Sequence, residues 1–255
     1  MLMVSCWDEA CVRGAVKMWR CSLLTLCLAS CVFGEEYREE AFEFDEPVTR
    51  LVVDSEGGDV EIVFGDQPTV QADMVYRYQR DEPLVLWTYE EGVLEASVDC
   101  AVLDGRCAAD IRISAPPVES LVIYAYRGDV NISNASGMLS VDVRYGDVAV
   151  EGQPGDVDMY VSSGDLSVQG MQGQTNLLET VEGSMTLAHV GAFEFLRATA
   201  AGGDMQAVVL PGAYDLVLGE VAGELSVDLD VVPDTLSAMR LEVSNTTGNV
   251  TIATP

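Results

Sequence analysis

A short unit of glycine, a small or acidic residue and an apolar residue recurs through the second half of this chain. Successive copies are separated by 18, 18, 19, 20 and 20 residues, and a last copy follows after 25. A second series of glycines falls near the middle of each interval, so each repeat has room for two short strands and two turns. The copies are Gly128-Asp129-Val130, Gly146-Asp147-Val148, Gly164-Asp165-Leu166, Gly183-Ser184-Met185, Gly203-Asp204-Met205, Gly223-Glu224-Leu225 and Gly248-Asn249-Val250.

Between the glycines, apolar and polar residues alternate, as in Val130-Asn131-Ile132 and Leu139-Ser140-Val141. Such alternation is typical of strands with one buried face. A half-repeat is too short for a strand and a crossover helix. The nearly constant repeat length therefore favours an all-β parallel solenoid with two-strand coils of about 18–20 residues, stacked about 4.8 Å apart. A meander or Greek-key sandwich, which has similarly frequent turns, is the alternative.

The segment before the regular repeats is less periodic, and it divides the chain into two predicted β regions. Residues 40–117 are expected to open the same architecture and to cap its first coil, because they contain one further unit, Gly58-Asp59-Val60. Pro116-Pro117 marks the turn into residues 118–255, the predicted solenoid. The irregular stretch 231–239 is expected to cap the other end.

The first 31 residues have the features of an export signal. Basic residues precede a short apolar run over 21–28, which is well below the roughly 20 residues that a membrane-spanning helix needs. The run ends in Leu28-Ala29-Ser30-Cys31, which resembles the bacterial lipobox, whose cysteine is lipidated and begins the mature chain. We expect a signal peptide over 1–30, a true start at Met18, and a lipid-anchored tether over 31–39. An ordinary cleaved signal peptide is the alternative.

The residue after Cys31 bears on the destination of the exported chain. In Gram-negative lipoproteins an aspartate at this position often leads to retention in the inner membrane, and this chain has Val32. The sequence therefore predicts a protein attached by its lipid to the outer membrane.

The charge balance excludes several functions. The chain has 13 basic and 42 acidic residues, a formal charge of −29, so it is too poor in cations to bind nucleic acid. Cleavage before Cys31 removes three basic and two acidic residues and leaves −30, with every remaining cation an arginine. A Schiff-base or P-loop lysine is therefore absent from the predicted mature chain. Any catalytic triad or multi-histidine metal site would have to rely on His189, the one histidine.

Two of the seven cysteines remain after cleavage and lipidation, namely Cys100 and Cys107. In an exported protein such a pair predicts a disulfide. The turn dipeptide Asp104-Gly105 and alternating flanks further predict a hairpin closed by this bond, which would stabilise the fold by about 2 kcal/mol. The spacing does not fit the redox or metal-binding alternatives.

The exported N-terminus, the Ile113-Ser114-Ala115-Pro116-Pro117 stretch and the recurring Gly-Asp-Val units resemble the bacterial DUF4097 family and its relatives with a head GIN domain. The resemblance covers roughly residues 40–254. It implies a β-solenoid protein of the cell surface or envelope with a role in adhesion, and it implies no catalytic residues.

Two residue sets are candidate sites. The aspartates after the turn glycines would form a column of like charges, which either accept local backbone N–H groups or bind a divalent cation such as calcium. Exposed tyrosines would suit stacking against a glycan, or would pack only as cross-strand pairs. The candidate metal ligands are Asp129, Asp147, Asp165 and Asp204, and the candidate glycan-binding residues are Tyr124, Tyr126, Tyr145 and Tyr160.

Taken together, the sequence predicts a non-enzymatic, lipid-anchored envelope or surface protein that contacts another surface protein or a glycan. A calcium-binding structural protein is the second prediction. A polysaccharide-active β-helix enzyme is the third, because the fold alone does not exclude catalysis. The acids follow the repeat period and do not form a local cluster, which favours the non-enzymatic reading.

Overall fold

The computed structural model describes residues 36–79, 82–100, 107–228 and 230–255. The predicted signal peptide, Cys31 and the expected turn at Asp104-Gly105 lie outside these ranges. The described residues form strands, turns and bends and contain no helix, so the predicted all-β class is confirmed. Accordingly, none of them belongs to a helix of the length and apolarity that a bilayer-spanning segment requires.

Within the described ranges, 22 strands follow one another along the chain. They are β1 (Glu36–Phe44), β2 (Arg50–Ser55), β3 (Val60–Phe64), β4 (Val70–Tyr78), β5 (Leu84–Glu90), β6 (Val93–Asp99), β7 (Cys107–Ala115), β8 (Ser120–Arg127), β9 (Val130–Ala135), β10 (Met138–Tyr145), β11 (Val148–Gly152), β12 (Val157–Ser163), β13 (Leu166–Gln169), β14 (Thr175–Glu182), β15 (Met185–Val190), β16 (Phe195–Ala200), β17 (Met205–Val209), β18 (Gly212–Val221), β19 (Leu225–Val227), β20 (Val231–Pro233), β21 (Arg240–Asn245) and β22 (Val250–Ala253).

The strands form two eleven-stranded sheets. Sheet A has the order β1-β4-β7-β3-β9-β11-β13-β15-β17-β22-β19, and sheet B has the order β20-β18-β21-β16-β14-β12-β10-β8-β2-β6-β5. From β8 to β17, the even-numbered strands lie in sheet B and the odd-numbered strands lie in sheet A. We call a sheet B strand together with the sheet A strand that follows it a rung, as in β8–β9 and β10–β11. Equivalent strands of successive rungs pair in parallel, which is the arrangement that the repeat predicts.

The core follows from the alternation of side chains. In sheet A, Val130, Val148, Leu166 and Met185 are register partners on successive strands, and each is at most 1% exposed. Buried residues from both sheets form one continuous hydrophobic cluster. Each buried aliphatic side chain contributes about 1.5–3 kcal/mol relative to an exposed one, so the stacked columns supply the main driving force for the fold.

The N-terminal strands belong to the same two sheets. The rung β2–β3 lies between the rung β6–β7 on one side and β8–β9 on the other. Strands β4 and β5 then pair antiparallel with β7 and β6, and β1 pairs antiparallel with β4 at the edge of sheet A. Strand β1 begins at Glu36, so the last four residues of the predicted tether over 31–39 lie in this strand, and the others lie outside the described residues.

The disulfide between Cys100 and Cys107 is present, but the hairpin expected around it is not. Strand β6 pairs with β2 and β5 in sheet B, whereas β7 pairs with β3 and β4 in sheet A. The disulfide therefore spans the passage from one sheet to the other. Alternating polarity shows that a strand has one buried face, but it does not identify the partner strand, and this is why the hairpin prediction was wrong.

The last rungs do not stack in sequence order. Strands β21 and β22 pair with β16 and β17 on one side and with β18 and β19 on the other. Strands β18 and β19 come first in the sequence and form the outermost rung. The later strands β21 and β22 lie between that rung and the rung β16–β17. Strand β20, in the stretch 231–239, adds to the edge of β18.

A column of glycines forms the corner where the rungs other than β6–β7 pass from sheet B to sheet A. Gly128 and Gly146 have φ values of 128° and 153°, which L side chains rarely adopt. A Cβ on Gly146 would overlap the carbonyl oxygen of Gly128, and a Cβ on Gly128 would overlap that of Gly58. The recurring glycine is therefore required both by backbone conformation and by the close stacking of the corners.

Replacing the corner glycine Gly146 should cost much more stability than replacing Gly155, a glycine of the other series whose surroundings leave room for a Cβ. We expect Gly146→Ala to lower the free energy of unfolding by about 3 kcal/mol, since it combines a left-handed backbone with an overlap against backbone atoms. The matched control is Gly155→Ala, whose Cβ would lie 3.5 Å from the nearest heavy atom. Urea denaturation measures both changes, and equal losses would contradict the role of the corner.

Candidate ligand-binding surface

The residue after each corner glycine takes part in a ladder of hydrogen bonds along the stack. The backbone N–H of Asp147 donates to Oδ1 of Asp129 at 2.9 Å, and the N–H of Asp165 donates to Oδ1 of Asp147 at 2.8 Å. The donor and acceptor lie 18 residues apart in both bonds. We call the set the corner column, which comprises, in stacking order, Asp110, Asp59, Asp129, Asp147, Asp165, Ser184, Asp204, Asn249 and Glu224.

This geometry changes the interpretation of the aspartates. Their carboxylates do accept backbone N–H groups, but the donor is the equivalent residue of the next rung and not a local turn. Charge-assisted hydrogen bonds of this kind offset the repulsion between stacked carboxylates, which is about 1 kcal/mol per neighbour in water. The column thus ties each rung to the next at the corner.

The predicted metal ligands are only partly consecutive in the column. Asp129, Asp147 and Asp165 follow one another, whereas Ser184 separates Asp165 from Asp204. Within the described residues, no three acidic, histidine or cysteine side chains lie close enough together to hold a metal ion. Calcium binding at these positions stays a prediction.

The column also contains members that sequence reasoning did not select as site residues. Ser184 and Asn249 occupy the aspartate position of their repeat units, and the unit spacing identifies them. Asp110 follows Ala109 and precedes Ile111, so it lacks the glycine that marks the other units. Only the pairing of β7 with β3 reveals that Asp110 is equivalent to Asp59.

The four candidate tyrosines do not form one continuous strip: Tyr124, Tyr126 and Tyr160 lie on the outer face of sheet B, whereas Tyr145 is the last residue of β10 and is exposed beside the corner. Tyr124 of β8 and Tyr160 of β12 are both register partners of Asp142 on β10, so about 10 Å separates their backbones. Their side chains are 48% and 38% exposed. Tyr126 and Tyr145 form a separate pair at the end of β8 and β10, with ring centroids 5.6 Å apart in an edge-to-face arrangement.

Two arginines lie beside the pair formed by Tyr126 and Tyr145. The guanidinium of Arg144 lies 5.4 Å from the ring centroid of Tyr126 and 5.7 Å from that of Tyr145. The guanidinium of Arg127 lies 6.0 Å from the Tyr126 centroid, and Arg127 is the register partner of Tyr145. We call Tyr126, Arg127, Arg144 and Tyr145 the Tyr–Arg patch. The two residue types alternate on adjacent strands, so each arginine lies beside a tyrosine both along and across the strands.

Most other described arginines are paired with carboxylates. Arg197 and Arg240 both donate to Glu242, at 2.7 and 2.6 Å, and these hydrogen bonds hold the pKa of the Glu242 carboxyl below its usual range. Arg38, Arg77 and Arg112 each form an ion pair as well. Among the described arginines, Arg50, Arg127 and Arg144 have no carboxylate within ion-pair distance. Arg127 and Arg144 are the two of these that lie beside tyrosine rings, and their guanidinium groups are available to an anion from solution.

Two shallow cavities of about 280 and 290 Å³ also open on the outer face of sheet B. Both are lined by Asp158 and Leu177, and the second includes Tyr160. Both volumes are close to the lower limit for a small-molecule site, which is about 300 Å³. His189 lies elsewhere, exposed on β15 with a φ of 55°, and is not part of this surface.

Comparison with solved structures shows where this fold occurs. A putative adhesin from Bacteroides fragilis has a TM-score of 0.53 and 14% sequence identity, over 86% of this chain and 97% of that one. A putative adhesin from Parabacteroides distasonis has a TM-score of 0.51 and 13% identity, over 85% of this chain and 97% of that one. At these identities the similarity concerns the fold. No protein-family profile and no curated protein matches the sequence.

Removing one acceptor from the corner column should be measurable. Asp147→Ala leaves the N–H of Asp165 without its acceptor, and we expect a loss of about 1 kcal/mol in the free energy of unfolding. Asp147→Asn retains an oxygen acceptor and removes one charge, so we expect no loss, in line with Asn249 in the same column. Chemical denaturation measures both, with the exposed Asp158→Ala as control. An asparagine variant as unstable as the alanine variant would contradict the role of the hydrogen bond.

Proposed function

We propose that this chain is a non-enzymatic, lipid-anchored protein of the bacterial cell envelope that binds a ligand on the outer face of sheet B. In this proposal the two sheets are faces of a parallel β-solenoid, which holds that surface away from the membrane. The lipid anchor is attached at Cys31 and places the protein at the outer membrane.

The observation that carries the binding function is the exposure of tyrosines on one face of the structure. Tyr124, Tyr145 and Tyr160 are between 38% and 48% exposed. Tyr160 lines one of the two cavities, and Tyr145 belongs to the Tyr–Arg patch. A large aromatic side chain on a solvated strand stabilises the core little. Tyrosine is, however, well suited to contact a ligand, because it combines an apolar ring with a hydroxyl group.

The fold similarity also supports a protein that is attached to the cell and exposes a binding surface. The two solved structures compared above are described as putative adhesins, and an adhesin needs an exposed surface and an attachment to the cell. The export signal and the lipobox-like Leu28-Ala29-Ser30-Cys31 would supply that attachment.

The anchor is tested by substitution of the lipidated cysteine. We expect the wild-type chain, expressed in a Gram-negative host, to incorporate labelled palmitate and to fractionate with the outer membrane. Cys31→Ser should abolish the label and release the protein from the membrane fraction. Cys27→Ser is the matched control, because Cys27 lies in the segment that processing removes, and it should leave labelling intact. Palmitate incorporation by Cys31→Ser would contradict the proposal.

A further inference from the structure

The Tyr–Arg patch is unusual in so acidic a chain. The formal charge is −29, and five of the described arginines are paired with carboxylates, yet Arg127 and Arg144 both lie beside the Tyr126 ring without such a partner. The acidic residue nearest to Arg144 along the chain is Asp142, two residues before it, which forms no ion pair with it, and Asp129 and Asp147 each have one carboxylate oxygen committed to the corner column. The patch is therefore a small cationic surface within an anionic one.

We propose that the Tyr–Arg patch binds a carboxylated sugar at the end of an otherwise neutral oligosaccharide. This inference rests on the proposed function and names the ligand class of the same surface. An exposed guanidinium binds a carboxylate through two parallel hydrogen bonds, which distinguishes carboxylates from neutral groups. The rings of Tyr126 and Tyr145 offer apolar area for the sugar ring that carries the carboxylate.

The surrounding charge explains why the ligand should carry few charges. The corner column runs past the end of the patch, with Asp129 two residues beyond Arg127 and Asp147 three beyond Arg144. A polyanion that extended from the patch would approach these carboxylates and the negative field of the whole chain. A single carboxylate on a neutral chain gains the two guanidinium contacts and avoids most of this repulsion.

Two sources of carboxylated sugar share this chemistry, and the experiment separates them. The probes are 3′-sialyllactose, with a terminal sialic acid, and cellobiouronic acid, with a terminal glucuronic acid. Lactose and cellobiose are their neutral controls, and succinate is the control for a carboxylate without a sugar ring. Binding to the full chain in detergent is measured by isothermal titration calorimetry. We expect at least one acidic sugar to bind with an affinity about tenfold above that of its neutral control and above that of succinate.

Variants locate the site on the protein. Arg144→Gln should weaken binding of the acidic sugar about tenfold, because it removes charge-assisted hydrogen bonds. Tyr145→Ala should weaken it as well, through loss of ring contact. Arg50→Gln is the matched control, since Arg50 is another exposed arginine of sheet B and its replacement changes the net charge equally. It should change the affinity by less than about twofold.

Each outcome separates this inference from the proposed function. Equal affinity for acidic and neutral sugars, equal binding of succinate, or an equal loss in Arg50→Gln would overturn the carboxylated-sugar site. If neither acidic sugar binds while palmitate still labels Cys31, the inference fails and the anchored surface protein stands. If sugars bind but Cys31 is not labelled, the site stands and the anchor fails.

Discussion

The structure depends on the close approach of successive corners. From β8–β9 onward, each rung passes from sheet B to sheet A through a glycine whose Cα faces the carbonyl of the equivalent glycine in the adjacent rung, at a separation that leaves no space for a Cβ. This contact fixes the register of both sheets at once, because the strands on either side of the corner begin at a defined position. The parallel pairing, the buried columns and the ladder of the corner column all follow from that register.

The corner also explains how the chain tolerates its charge. A column of stacked aspartates would destabilise most folds, since each carboxylate lies about one strand spacing from the next. Here each carboxylate accepts a backbone N–H that parallel pairing would otherwise leave without a partner at the bend. The same residue therefore satisfies the backbone and keeps the outer surface strongly acidic, which favours solubility and discourages edge-to-edge association.

The sequence predicted the parts of this fold that are periodic. Alternation and glycine spacing were sufficient for the strands from β8 to β17, because each of these rungs stacks on its neighbour in sequence. They were insufficient where stacking departs from chain order. Local alternation and the Asp104-Gly105 dipeptide predict a hairpin around Cys100 and Cys107, because strands that belong to two different sheets leave no local signal of their separation. Aromatic character alone makes Tyr126 and Tyr145 candidates from the sequence. Arg127 and Arg144 have no such signal, because only the structure shows which arginines lie beside a ring and lack a carboxylate partner.

The insertion of β21 and β22 beneath β18 and β19 limits how a protein of this kind can change in length. A repeat duplicated at the C-terminus would have to displace the inserted rung, and one duplicated near β2 and β3 would disturb a rung enclosed by later strands. Only in the stretch from β8 to β17 do the rungs stack in the order of the sequence. An extra repeat can be added there without a change in the strand order of either sheet. Variation in repeat number among related chains is therefore expected in this middle stretch, with both ends kept constant.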